Sequence, residues 1–168
     1  MRGHNVGSSI FVASAPRLSY LCRPIMSDSQ KFPVAAHALA YLAHKQATGA
    51  ERAISSAELA ASMPTNPVVV RRVTAMLARA GLIETRAGAG GGAWLKVDPA
   101  TIGLDAVLRA VGGCTHLGVA PPGVRGCPVG EMIPDAVSAA ITAADAAASE
   151  RLSRITVADL LRAPPEKL

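Results

Sequence analysis

The stretch SSAELAASMPTNPVVVRRVTAMLARAG, residues 55–81, holds two helix starts separated by a single turn. Ser55 and Glu58 have capping-box spacing, which satisfies orphan amides where a helix begins. Pro64 stops this first helix near Met63, because a proline disfavours helical backbone in the residue before it. Asn66 is a strong N-cap, and Pro67 suits the first helical turn. The second helix continues to Ala80, with Gly81 placed just past its end. Two helices meeting across Met63-Pro64-Thr65 have helix-turn-helix spacing.

The second helix sorts into two faces. Val69, Val70, Val73, Met76, Leu77 and Ala80 form an apolar stripe. Val68, Arg71, Arg72, Ala75 and Arg79 form the other face, with three arginines and no acid. A solvated surface and a groove-facing recognition helix would both look like this.

The next segment favours recognition. Leu82-Ile83-Glu84-Thr85 and Ala93-Trp94-Leu95-Lys96-Val97 read as strands. Between them lies Arg86-Ala87-Gly88-Ala89-Gly90-Gly91-Gly92, a glycine-rich hairpin tip, hence a wing. Glycines allow backbone to approach a sugar-phosphate surface, and Arg86 can neutralise a phosphate. Gly88, Gly90 and Ala93 formally fit a dinucleotide fingerprint, but that motif opens a helix and here a strand follows. A Walker loop lacks its Gly-Lys-Ser/Thr.

Upstream, Phe32, Ala35, Ala36, Leu39, Leu42 and Ala43 recur at helical spacing, predicting a helix over about 32–46 that Gly49 ends. Downstream, a short helix is expected over Leu104–Val111, led by Asp98-Pro99 and broken by Gly112-Gly113. A loop with Cys114, His116, Pro121, Pro122 and Cys127 follows. Pro128 then starts a helix reaching about Arg154, roughly 40 Å long. Ile133, Val137, Ala140, Ala144, Ala147 and Ala148 repeat along it at three- and four-residue steps. Eight alanines within 136–148 permit close approach of another backbone. Such a stripe is too long to hide on a small winged domain, so it predicts a homodimer paired through Ile133, Val137, Ala140, Ala144 and Ala148; packing within the chain is the alternative. Thr156 with Asp159 caps a last helix, Val157 to Arg162.

Composition excludes several classes. The chain has 168 residues, enough for one domain plus an arm and for a core without staples. Half of it is hydrophobic and only 17% charged, which excludes disorder throughout. No apolar run reaches the length of a membrane span. Net charge is +5, with residues 1–25 and 26–112 each contributing +3 and the remainder −1. A basic middle permits a polyanion partner. Residues 1–25 read either as a transit-type segment or as an extended start ahead of Met26. Without a secretory signal, the expected location is the cytoplasm, with reduced thiols. The resulting division is an arm over 1–25, a winged helix-turn-helix unit over 26–112, a cysteine-containing loop over 113–127, and a dimerisation helix with a short last helix over 128–168. The fold class is mainly α.

Residues 30–162 resemble the Rrf2 family of winged-helix transcriptional regulators, typified by IscR and NsrR. The carrying segments are Lys31-Phe32-Pro33-Val34-Ala35-Ala36-His37, Asn66-Pro67-Val68-Val69-Val70-Arg71-Arg72, Ala80-Gly81-Leu82-Ile83, Gly90-Gly91-Gly92-Ala93-Trp94-Leu95 and Leu104-Asp105-Ala106-Val107-Leu108-Arg109-Ala110-Val111. Cys127-Pro128-Val129-Gly130 resembles one branch of it. The resemblance implies homodimers on palindromic double-stranded DNA, a recognition helix in each major groove and wings in flanking minor grooves. Carried over by position, DNA contacts would come from Thr65, Asn66, Pro67, Val68, Arg71 and Arg72, with Arg79, Arg86, Gly90 and Gly91 in support. Arg71 and Arg72 stand where many members have Glu and Gln, so the base preference differs.

Many members hold a 2Fe–2S cluster on three cysteines before the long helix. Cys114 and Cys127 match the first and last, but Ala120-Pro121-Pro122 replaces the middle one, so no cofactor is expected. Two readings stay open for the thiols. Either both are inert, or Cys127 at a helix N-terminus is activated and Cys114, or its dimer mate, resolves its oxidised form. The four histidines show no metal spacing, and His37 reads as a satisfied core histidine. No Ser/His/Asp set or carboxylate pair points to an enzyme. The reading is a DNA-binding transcriptional regulator, a repressor, with thiol-redox response an option. An interaction module without DNA binding is the alternative; a thiol enzyme would need a base and a pocket beside its cysteine.

Overall fold

The computed structural model describes residues 30–162. The arm expected over 1–25 lies outside the described residues, as do 26–29 and 163–168. The fold is mainly helical with one antiparallel hairpin, a winged helix-turn-helix carrying a long additional helix.

Helix α1, Lys31–His44, lies at the centre, packing against the helix-turn-helix, the hairpin and the last helix. Its buried residues are Ala35, Ala38, Leu39 and Leu42. The two buried alanines let neighbouring backbones approach, and the leucines fill the space behind them. His37 is exposed rather than in the core, because its position falls outside that stripe. Its Nε2 lies 3.0 Å from Ser62 Oγ, whose hydroxyl donates to Leu59 O.

Helix α2, Ser56–Ala61, starts at Ser55, whose Oγ accepts from Glu58 N at 3.1 Å. The Glu58 carboxylate accepts from the Tyr41 hydroxyl, so this residue ties α2 to α1. Helix α3, Pro67–Arg79, starts at Asn66, whose Oδ1 accepts from Val68 N at 2.8 Å. Gly81, at φ +75°, ends it: Gly81 N–H donates to Ala78 O and Leu82 N–H to Leu77 O. That paired arrangement is a Schellman motif, and its left-handed residue favours glycine.

The buried face of α3 is Val70, Val73, Thr74 and Leu77. Val69 and Ala80, expected in the stripe, are exposed, because each lies about a quarter turn from the centre of the buried face. Thr74 joins the buried face instead. Its hydroxyl donates to Arg71 O at 3.1 Å, which lets a polar side chain be buried without an unmet hydrogen bond.

Strands β1, Ile83–Arg86, and β2, Gly92–Leu95, pair antiparallel with Ile83 opposite Leu95 and Arg86 opposite Gly92. Ile54 adds a third, isolated rung, exchanging both backbone hydrogen bonds with Ala93. Two inner-facing residues of the hairpin, Ile83 and Leu95, join the aliphatic core.

Asp98-Pro99 begins a separate 3₁₀ turn, Pro99–Thr101, and helix α4, Leu104–Ala110, follows from Gly103. Helix α5, Pro128–Ser153, has 26 residues and not one is buried. Only its end reaches the core, through Leu152. Residues 155–157 then pair with 102–104, and α6, Val157–Arg162, packs on α1. Thr156 caps α6 reciprocally: its hydroxyl and N–H donate to Asp159 Oδ2, and Asp159 N–H donates back to Thr156 Oγ1. The Thr156 hydroxyl, its N–H and Arg162 hold the Asp159 carboxyl below its ordinary value, against a small opposing push from burial. Among the described residues, no helix is long and apolar enough to cross a membrane.

Candidate nucleic-acid interface

Helix α3 projects from the core with its outer half in solvent. Val68, Arg71, Arg72, Ala75 and Arg79 are all exposed. Among the described residues, none of these arginines forms an ion pair. Val68 is 60% exposed, so its methyl groups are accessible on this face. Val69, 37% exposed, extends this apolar edge, and the sequence pattern hid it inside the core stripe.

Thr65, Asn66 and Pro67 form the approach to this surface. Asn66 uses its side-chain oxygen as the cap of α3, so its first task is local structure. The cap leaves its amide nitrogen as a donor.

The wing stands beside α3. Arg86 Nη2 donates to Gly90 O at 3.1 Å, closing the tip across itself. Gly91 is required by the chain's own geometry: a Cβ there would lie 2.2 Å from Arg86 O. The glycines therefore build the hairpin before they offer any surface to a partner.

A half-open cleft of about 510 Å³ separates α3 from the wing. Arg71 and Ala75 form one wall, and Arg86, Ala87, Gly88 and Gly91 form the other. Ser55, Ser56, Thr74 and Thr85 add hydroxyls, a contribution the sequence did not single out because it depends on how the fold gathers residues distant in sequence. Among the described residues, no Asp or Glu lines it. Arg72, Arg79 and Val68 are outside the cleft, as is Gly90. The expected arginines thus divide between the open face of α3, with Arg72 and Arg79, and the cleft, with Arg71 and Arg86.

On α5, the expected stripe of Ile133, Val137, Ala140, Ala144 and Ala148 is exposed along its whole length. Ile133 is 45% and Val137 40% exposed, with Val129 and Met132 more so. The half-buried positions, Pro134, Ile141, Asp145, Ser149 and Leu152, form the neighbouring face, against which the cysteine-containing loop lies.

That loop is fastened at two places. Asp145 Oδ1 accepts from Leu117 N, its Oδ2 lies 3.1 Å from His116 Nδ1, and its carbonyl accepts from the Thr115 hydroxyl. Val124 N donates to Gly130 O, and Gly126 N to Glu131 Oε1. Cys127 is the N-cap of α5, with an exposed free thiol whose Sγ accepts from Gly130 N at 3.4 Å. Cys114 is next to Thr115, at the Asp145 clasp. Pro128 and Asp145 are separated by about 25 Å of helix. Two cysteines so placed cannot form a disulfide within one chain, since that needs Cα atoms within about 7 Å. The expectation that Cys114 resolves Cys127 in the same chain is thereby corrected. The same separation prevents them from holding one 2Fe–2S cluster. His116 Nδ1 is engaged by Asp145, and among the described residues no three His, Cys, Asp or Glu side chains gather as a metal site. The described residues of one chain do not fit the cluster.

Known proteins share this architecture. YwnA of Bacillus subtilis (strain 168), named as an HTH-type transcriptional regulator, is 34% identical over 135 residues, covering 79% of this chain and 96% of its own. A crystal structure described as that of a DNA binding protein is 33% identical, with a TM-score of 0.58, covering 78% of this chain and 98% of that one. CymR, the global cysteine regulator of Bacillus subtilis, shares the fold at 24% identity and a TM-score of 0.56, over 79% of this chain and 93% of its own. The family profile described as Rrf2, iron-dependent transcriptional regulator, matches residues 28–163. A match over that span, on a chain folded as a winged helix, places the protein in the Rrf2 family of DNA-binding transcriptional regulators.

Proposed function

We propose that the protein is a homodimeric repressor that binds a palindromic operator. Each copy lays α3 in the major groove of one half-site and sets its wing against the flanking minor groove. Arg72 and Arg79 read or flank base edges, and Val68 meets a thymine methyl. Thr65, Asn66 and Pro67 position the start of α3, while Gly90 and Gly91 shape the wing. The observation that carries this reading is the open face of α3, which holds arginines without acidic partners and a bare valine. The two copies pair through Ile133, Val137, Ala140, Ala144 and Ala148, a stripe left exposed among the described residues. The protein works in the cytoplasm and has no catalytic role.

A thiol response is assigned to Cys127. Its sulfur is exposed at the joint between the loop and α5, where oxidation to a sulfenic acid alters the cap of the pairing helix.

Fluorescence anisotropy with DNA from upstream of the protein's own gene tests both parts. Specific binding over scrambled DNA supports the regulator, and weakening on mild peroxide that Cys127→Ser abolishes supports the thiol response. Equal binding before and after oxidation removes that response. No preference over scrambled DNA favours an interaction module instead.

A further inference from the structure

The two neighbouring arginines of α3 point in different directions. Taking the centre of the buried face as origin, Arg72 lies nearly opposite it, and Arg71 is turned back by about 100°. That turn brings Arg71 into the cleft facing the wing, which Arg72 does not reach. Across the cleft stands Arg86, whose guanidinium is already fixed by one hydrogen bond to Gly90 O. A guanidinium has five donors, so one such bond leaves most of them for a ligand. Two cationic forks and four hydroxyl side chains line the space between and, among the described residues, no carboxylate does. Gly88, Gly91 and Gly92 line its wing side without side chains, which leaves room between the two guanidiniums for one small anionic group.

We propose that this cleft seats one backbone phosphodiester of bound DNA, with Arg71 and Arg86 as its two jaws, and that Arg71 contributes position rather than sequence reading. The proposal rests on the DNA-binding reading and assigns unlike roles to adjacent arginines that the sequence pattern treats alike. Phosphate contacts fix register on the duplex, whereas base contacts specify it. An arginine fork matches a phosphate in two-point fashion, and the salt dependence of binding reports each phosphate neutralised.

The test is the slope of log affinity against log salt for wild type, Arg71→Gln, Arg71→Lys and Arg72→Gln, on operator and scrambled duplexes. Arg71→Gln is expected to lower the slope by about 0.9 on both duplexes, with their affinity ratio preserved. Arg71→Lys keeps the charge and is expected to restore the slope. Arg72→Gln is expected to reduce discrimination by roughly 5- to 150-fold. An unchanged slope in Arg71→Gln with a collapsed affinity ratio overturns the proposal and makes Arg71 a base reader. Circular dichroism of Arg71→Gln separates either result from misfolding, and an unfolded Arg71→Gln leaves Arg71→Lys decisive: a slope differing from wild type overturns the seat. Micromolar uptake of inorganic pyrophosphate by DNA-free protein, lost in Arg71→Gln, also overturns it by assigning the cleft to a free anion. Failure of the DNA reading shows separately, as wild-type protein that does not distinguish operator from scrambled duplex.

Discussion

Arg86 and Gly90 hold the wing shut on itself: the guanidinium of one donates to the carbonyl of the other at 3.1 Å. The wing is thus a preformed element whose Arg86 side chain is held by its own tip. Preformed geometry lowers the ordering cost of binding.

Gly91→Ala should break that geometry. Its Cβ would meet the Arg86 carbonyl oxygen at 2.2 Å, which a backbone atom cannot yield to cheaply. A loss of about 1–3 kcal/mol in stability is expected, with a larger proportional loss of DNA affinity. Thermal melts and anisotropy on the same variant check it. Unchanged DNA affinity would show that the tip is not part of the interface.

Asp145→Ala should release the cysteine-containing loop from α5. The carboxylate accepts from Leu117 N and faces His116 Nδ1, with only 19% of its side chain exposed. Hydrogen bonds to a charged group contribute about 1.5–3 kcal/mol. Hydrogen exchange should rise at Leu117 while the amides of α1 and α3 keep their protection. Faster exchange in α1 as well would mean that the clasp supports the core.

The cap of α6 carries a pH signature. Asp159 is held below its ordinary value near 3.8 by the Thr156 hydroxyl and N–H, with help from Arg162. A carboxyl depressed on folding stabilises the protein above its unfolded value and loses that contribution as pH falls through the folded one. Stability should therefore drop below about pH 3.8, and Asp159→Asn should flatten that part of the profile. Thr156→Ala should cost about 1 kcal/mol at neutral pH. Urea unfolding across pH checks both, and identical acid profiles for wild type and Asp159→Asn would refute the linkage.

Ile133→Asp with Val137→Asp should give a folded monomer. Both side chains are exposed, so charge there does not disturb the chain's own core. Sedimentation should show half the wild-type mass, and operator affinity should fall because two half-sites are no longer bound together. A double variant that sediments as wild type would place the pairing surface elsewhere.

Much of the helix-turn-helix is legible in residues 55–81 because its signals are local. Asn66 and Gly81 act through hydrogen bonds to backbone two to five residues away. The features that escaped are long-range. Ile54 pairs with Ala93 only because the fold brings them together. Glu58 has capping-box spacing, yet its carboxylate goes to Tyr41, a partner no local rule supplies. Thr74 and Val69 exchanged places relative to polarity, since helix orientation is set by packing and a threonine can satisfy its hydroxyl on its own helix. At the candidate interface, the arginines were recognisable by type. Their division between cleft and open face depends on where the wing stands.

The most direct test of DNA recognition is an anisotropy titration of the intact protein on its own upstream DNA, with scrambled DNA as competitor, for wild type and Arg72→Ala. Wild type should prefer the upstream duplex by at least about 10³-fold, and Arg72→Ala should lose about 1–3 kcal/mol of that preference. Equal affinity of wild type for upstream and scrambled duplexes at several salt concentrations would contradict sequence-specific recognition of that DNA by α3.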